Sequence, residues 1–536
     1  MQALMMDFPL NTTAILQHAA RWHGRTEIVS RGMDGALHRY TYAEAYARTQ
    51  KLAHGLAGLG LTAGERVGTI ALNGFRHFEL YFAVPGMGAV LHTINPRLHP
   101  EQLTYIINHA DDRIVCFDTC FAKLIAAIAP HCPQVHTWVA LDRTPVDLGA
   151  ARCVAFESLL DGQPQTFYWP RIDEHSASSL CFTSGTTGHP KGVLYSHRST
   201  VLHAMAVCWP DALNLSARDV LCPIVPMFHV NAWGLPYGAA LSGCKLVLAG
   251  GLLDGPSVHQ LFEAEGVNLA AGVPTVWLGL LNHVEGTAAR FSHLKRVVFG
   301  GAPMVRALME RFQAFGIESL HAWGMTEMSP VGTCNTETAL HAGWTFEQRQ
   351  RLKLKQGRVI FGVDMRIVDA QGETLPHDGQ AFGHLQVRGP WIVDRYFGYE
   401  ASALTADGWF DTGDVATIDA EGYMQITDRA KDVIKSGGEW ISSQELENVA
   451  MSFPAVGEAA AIAVPHPKWD ERPVLVVVVR PGHTLDPDEL LHYFEGKVAK
   501  WWIPDAVHIV AELPHNATGK VQKNLLREKF AADGVA

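Results

Sequence analysis

Cysteine pairs at metal-ligand spacing, long apolar runs and basic clusters are all missing from this chain. Its nine cysteines are scattered between Cys116 and Cys334, an odd number with no Cys-x-x-Cys among them. That argues against zinc and against a disulfide framework, and for a reducing compartment. No apolar stretch approaches the roughly 18 residues that span a bilayer. Residues 1–8 carry no basic n-region, the first cation being Arg21. A cytoplasmic protein without a transmembrane segment is therefore expected. No Lys/Arg cluster offsets the net charge of −11, which opposes nucleic acid as a partner. A polyanionic substrate would need local basic groups. Internal repeats and low-complexity tracts are lacking too.

What is present is a long, well-mixed globular chain. Its 536 residues, 48% hydrophobic and 18% charged, are too many for one core and imply several lobes. A capping-box pattern at Thr41 and Glu44 opens a helical periodicity over 41–59, and 66–72 reads as a buried strand. The alternation continues with helices over 78–88 and 100–109 and strands over 90–94 and 113–117. Short apolar strands recur at 245–249, 269–273 and 296–299. This predicts α/β layers with parallel strands. Over about 350–428 the pattern turns to short strands broken by Gly, Asp and Pro (364–368, 383–387, 422–426), which predicts antiparallel β structure, a small β-barrel subdomain. A further unit of about 105 residues with its own strands and helices follows.

The densest chemistry is Thr183-Ser184-Gly185-Thr186-Thr187-Gly188-His189-Pro190-Lys191-Gly192. Glycines free to take positive φ, four hydroxyl residues and one compact cation are suited to holding phosphate. A Walker loop would end in Gly-Lys-Ser/Thr, so an ordinary P-loop NTPase is excluded. Other stretches would be unremarkable alone: a turn at Gly300-Gly301-Ala302-Pro303, an acid in Trp323-Gly324-Met325-Thr326-Glu327, an Asp414/Arg429 pair, and a lysine, Lys520, after a Thr-Gly turn.

Together these motifs resemble, from about Tyr42 to Lys523, the superfamily of acyl- and aryl-CoA synthetases, nonribosomal-peptide adenylation domains and luciferases. Fatty acyl-CoA and 3-methylmercaptopropionyl-CoA ligases are the nearest in pattern. The resemblance implies an N-terminal domain over 1–428, a hinge at 429–431 pivoting on Lys431, and a mobile α+β domain over 432–536. It implies ATP, Mg²⁺ and coenzyme A. Residues 183–188 and Lys191 would hold phosphate, Glu327 and Thr183 the metal, and Gly301, Ala302, Pro303, Trp323, Gly324, Met325 and Thr326 the adenine side. Asp414 and Arg429 would hold ribose, with Asp411 only a turn residue. Ser436, Gly437 and Gly438 would line the pantetheine channel, Lys435 would serve the second half-reaction, and Lys520 would enter the site during adenylation. Lys523 and Arg527 are expected at the surface.

Substrate class rests on residues 226–237. An amino-acid-activating domain carries an aspartate here, and Phe228-His229-Val230 has none, which favours an apolar acid. The resemblance makes Trp233 a tunnel gate and places His229 beside the acyl-adenylate; packing in the core is the alternative for both. A medium- to long-chain fatty acid is the first expectation and 3-methylthiopropanoate the second. Acyl loading onto a carrier protein in trans and luciferase-like oxygenation stay open, and the family's habit of pairing raises a homodimer.

Overall fold

The computed structural model describes residues 4–183, 190–429, 432–436, 439–515 and 521–530. Two compact units divide the chain, one of 1–364 with 388–404 and one of 365–387 with 405–536.

The first unit holds two large sheets. A seven-stranded sheet runs in the order Cys153–Ala155, Thr137–Ala140, Asp112–Phe117, Arg66–Ile70, Val90–Thr93, Ala177–Phe182, Gly192–Ser196. All its pairings are parallel except the last, a hairpin in which Phe182 faces Gly192. Its core gathers Ile70, Val115, Phe117 and Trp138. A nine-stranded sheet places Glu318–Gly324, Arg296–Phe299, Leu269–Gly272, Val220–Pro223, Lys245–Leu248 and Glu27–Arg31 side by side and parallel, with antiparallel strands at its edges. Its core includes Val29, Val247, Trp277 and Phe299. Near-continuous apolar strands are what a sheet covered on both faces requires. The capping box forms as expected: the Thr41 hydroxyl accepts from the Glu44 amide and the Glu44 carboxylate from the Thr41 amide, opening helix Tyr42–Gly58.

In the second unit, Asp364–Val368, Phe382–Arg388, Phe410–Ile418 and Met424–Arg429 form a four-stranded sheet whose last two pairings are antiparallel. A five-stranded sheet centres on Asp470–Val479, flanked by Val456–His466 and Ala506–Val510. The two sheets group together because Asp428, at the end of one, accepts hydrogen bonds from the amide and hydroxyl of Ser443, which starts a helix of the other. The expected pivot Lys431 lies outside the described residues.

Candidate functional site

Four neighbouring parallel strands of the nine-stranded sheet end on the same edge, and three of them run at their carboxyl ends into segments singled out by sequence. Val220–Pro223 leads to 226–234, Leu269–Gly272 to the Pro274 helix, Arg296–Phe299 to Gly300–Pro303, and Glu318–Gly324 to Met325–Glu327. Ligands of open α/β sheets bind in the crevice outside those ends. At this edge Trp233 packs flat on Gly300, where an added Cβ would stand 2.7 Å from the indole. Gly301, with φ of +75°, turns the chain, and Gly301 and Pro303 are exposed while Ala302 is half-buried.

The turn carrying Trp233 is unusual. Val230, Asn231, Ala232 and Trp233 have φ of 45°, 51°, 48° and 58°, and Gly234 continues at 72°. A non-glycine residue in this region costs roughly 1–2 kcal/mol, and a β-branched one such as Val230 is a genuine outlier. The surrounding bonds offset that cost. The Asn231 amide donates to Ser179 Oγ at 3.0 Å and its carbonyl accepts from Thr93. Asn73 holds the approach, donating to the carbonyls of Pro223 and Val225 and accepting from the Met227 amide at 2.7 Å. His203 lies beneath Gly234 and accepts from the Val331 amide at 3.0 Å. His229, half-buried, precedes the turn, and Phe228, Val230 and Trp233 are buried. The polar supports Asn73, Asn231 and His203 went unread; the asparagine inside an apolar run was the one available signal, since Asn tolerates left-handed backbone.

On the other sheet, the ends of the glycine-rich loop are tied together: the Thr183 amide donates to the Lys191 carbonyl at 2.9 Å and the Lys191 amide to Thr183 Oγ1 at 3.3 Å. Ser184, Gly185, Thr186, Thr187 and Gly188 lie outside the described residues. Gly324 marks a register shift where an added Cβ would meet the Pro330 carbonyl at 1.9 Å, so only glycine fits. Trp323 is buried over Gly332 and Met325 is half-buried. Thr326 and Glu327 are buried, and the turn is pinned by Tyr195, whose hydroxyl donates to the Thr326 carbonyl at 2.6 Å, and by the Val393 amide, which donates to the Glu327 carbonyl at 2.8 Å. The Tyr396 hydroxyl donates to Glu327 Oε1 at 2.9 Å while the Lys191 ammonium stands 4.7 Å from the centre of its ring. A cavity of about 390 Å³ opens here, lined by Ser196, Ser199, Glu327, Trp391, Arg395 and Tyr396 among others.

In the second unit Asp414, almost fully buried, faces Arg429 across two antiparallel strands with a 2.8 Å ion pair. Asp411 is exposed and accepts from the Gly413 amide, the turn role expected of it. Burial raises the Asp428 carboxyl to about 6. Ser436 is buried and accepts from Arg472, and Lys435 is exposed. Gly437, Gly438 and Lys520 lie outside the described residues. The expectation for Lys523 and Arg527 is corrected. Lys523 sits 2.6 Å from Glu447 with its side chain 12% exposed, and Arg527 pairs with Asp432 at 2.8 Å. Helix Lys523–Phe530 turns both inward because Leu526 and Phe530 anchor the same face in the core.

Residues 15–397 match the family described as AMP-binding enzyme, and 445–520 match the AMP-binding enzyme C-terminal domain. The chain is 50% identical over 531 residues to the 3-methylmercaptopropionyl-CoA ligase of Ruegeria lacuscaerulensis, covering 98% of each. It is also 50% identical over 529 residues to the medium-chain-fatty-acid–CoA ligase of Ectopseudomonas oleovorans, covering 98% of this chain and 97% of that one. The solved structure of an anthranilate CoA ligase in complex with anthranoyl-AMP matches with a TM-score of 0.87 at 25% identity, over 98% of this chain and 99% of that one. With matches that run nearly end to end, the chain belongs to the AMP-binding enzymes, among the acyl-CoA ligases.

Proposed function

We propose that this protein joins a medium- to long-chain fatty acid to coenzyme A through an acyl-adenylate, releasing AMP and pyrophosphate. The observation that carries the substrate class is the wall of buried apolar side chains, Phe228, Val230 and Trp233, at the carboxyl edge of the sheet, with no acidic residue in 226–237 to meet an amino group. The 50% identity to a 3-methylmercaptopropionyl-CoA ligase supports that short sulfur acid as the second reading.

A carboxylate is ionised at neutral pH, so adenylation needs no general base. Its oxygen attacks the α-phosphorus of ATP, the bond to the pyrophosphate oxygen breaks, and a mixed anhydride remains. Lys191 and the 183–188 loop would hold phosphates, Asp414 and Arg429 the ribose, and Lys520 the charge that develops between carboxylate and phosphate. Glu327 and the Thr183 hydroxyl are hard oxygen donors, and the described residues hold no cluster of three or more His, Cys, Asp or Glu. Such a donor set fits Mg²⁺, which completes its shell with phosphate oxygens and water, and when bound it would screen the repulsion between the two anions. The coenzyme A sulfur then attacks the acyl carbon, the bond to AMP breaks, and the thiol proton leaves to solvent or base. Ser436, Gly437 and Gly438 would line its approach, Lys435 would supply positive potential, and a pivot at Lys431 would exchange the two half-reactions.

A panel from propanoate through 3-methylthiopropanoate, octanoate and palmitate to benzoate tests this by ATP- and CoA-dependent AMP formation. A maximum at octanoate or longer, lost in Lys520→Ala, is expected. A maximum at 3-methylthiopropanoate would transfer the reading to the short acid, and no AMP with any acid would overturn it.

A further inference from the structure

The segment 389–400 belongs to no helix or strand beyond its neighbours, yet it is bolted to both halves of the phosphate region. The Phe397 amide donates to the Gly192 carbonyl at 2.8 Å, next to Lys191. The Val393 amide donates to the Glu327 carbonyl at 2.8 Å, Ser329 Oγ to the Trp391 carbonyl, and the Trp391 indole to the Val331 carbonyl. Between these bolts stands Tyr396, half-buried, with its hydroxyl 2.9 Å from Glu327 Oε1 and the Lys191 ammonium 4.7 Å from its ring centre.

We infer that Tyr396 is a positioning residue for nucleotide-bound divalent metal: its hydroxyl, bonded to Oε1, fixes the orientation of the Glu327 carboxylate, while its ring seats Lys191 for the phosphates. The inference rests on the reading of Glu327 as metal ligand. A phenol donating to one carboxylate oxygen removes that oxygen from competition and fixes the rotamer of the other, the way outer partners orient metal ligands generally. The ring face attracts a cation without neutralising it, which leaves the ammonium's hydrogens for phosphate oxygens. One residue thereby sets the spacing between the metal and the lysine.

Tyr396→Phe removes only the hydroxyl. Binding of Mn²⁺ by the full chain with ATP, in the absence of any acid, is read by electron paramagnetic resonance for the wild type, Tyr396→Phe, Glu327→Gln and the double variant, with the thermal midpoint as a check on folding. Metal affinity is expected to fall about tenfold or more in Tyr396→Phe, while KM for the acid stays within twofold. In the Glu327→Gln background the same change should add less than twofold, because the hydroxyl acts through that carboxylate. An unchanged Mn²⁺ affinity in Tyr396→Phe, with Glu327→Gln impaired, overturns the positioning role alone; so does a loss fully additive with Glu327→Gln. An unchanged affinity in Glu327→Gln overturns the reading beneath it. Tyr396→Leu, which also removes the ring, should raise KM for ATP beyond Tyr396→Phe, and equal values for the two would contradict the seating of Lys191.

Discussion

Single residues decide whether the carboxyl edge of the nine-stranded sheet is rigid. His203 reaches two of its segments at once, accepting from the Val331 amide and lying against Gly234 at the end of the left-handed turn. Only a neutral imidazole accepts, and burial holds its pKa down at about 3 from an ordinary 6.5. The unfolded chain therefore takes up a proton below pH 6.5 that the folded chain refuses, so stability from this group is present above pH 6.5 and falls as pH drops toward 3. Glutamine keeps the acceptor and removes the titration. The difference in unfolding free energy between wild type and His203→Gln should narrow by roughly 1 kcal/mol per pH unit from pH 6 to 4, followed by urea titration. A difference that stays constant would place His203 in water. The sequence marked His229 and Trp233 at this edge but could not mark His203 or Asn73, because their work is long-range: Asn73 bonds to residues 150 or more positions away.

Elements were legible where the signal was local. Helix Tyr42–Gly58, strand Arg296–Phe299 and strand Asp364–Val368 stand where periodicity and capping put them, within a residue or two. The helical reading over 78–88 starts earlier, at Phe75, because Gly74 at its N-cap offers no side-chain cap to announce it. Helix Lys523–Phe530 was misjudged in its charges, since a lysine and an arginine four apart look the same in sequence whether they face water or carboxylates. Lys523 lies against Glu447 and near enough to Asp428 for each to favour the other's charge, whereas Arg527, paired among the described residues with Asp432 alone, is itself about twice as exposed as Lys523. Removing one member of a buried pair costs about 3 kcal/mol, a partly exposed one about 1 kcal/mol or less. Lys523→Ala should therefore lower hydrogen-exchange protection of helices Lys523–Phe530 and Ser443–Met451 about a hundredfold and Arg527→Ala under tenfold. Equal losses would mean that the two cations share one environment.

At the scale of the whole chain, two parallel-rich sheets follow from strand composition, while the antiparallel strands read within a domain of 1–428 fall, over 365–387 and 405–429, in the same compact unit as the C-terminal residues. Two of the motifs were legible because they are local strand-end features: the glycine-rich loop leaves strand Ala177–Phe182, and the close-approach glycine Gly324 closes strand Glu318–Gly324. The supporting shell around Glu327, supplied by Tyr195, Val393 and Tyr396, was invisible because it joins segments roughly 70 and 130 residues away. The central claim is that the acid's own carboxylate oxygen attacks the α-phosphorus. Octanoate labelled with ¹⁸O in both carboxylate oxygens, turned over with ATP and coenzyme A, tests it by mass spectrometry of the products. The account predicts one ¹⁸O in AMP and none in pyrophosphate. Unlabelled AMP, or label in pyrophosphate, would contradict it.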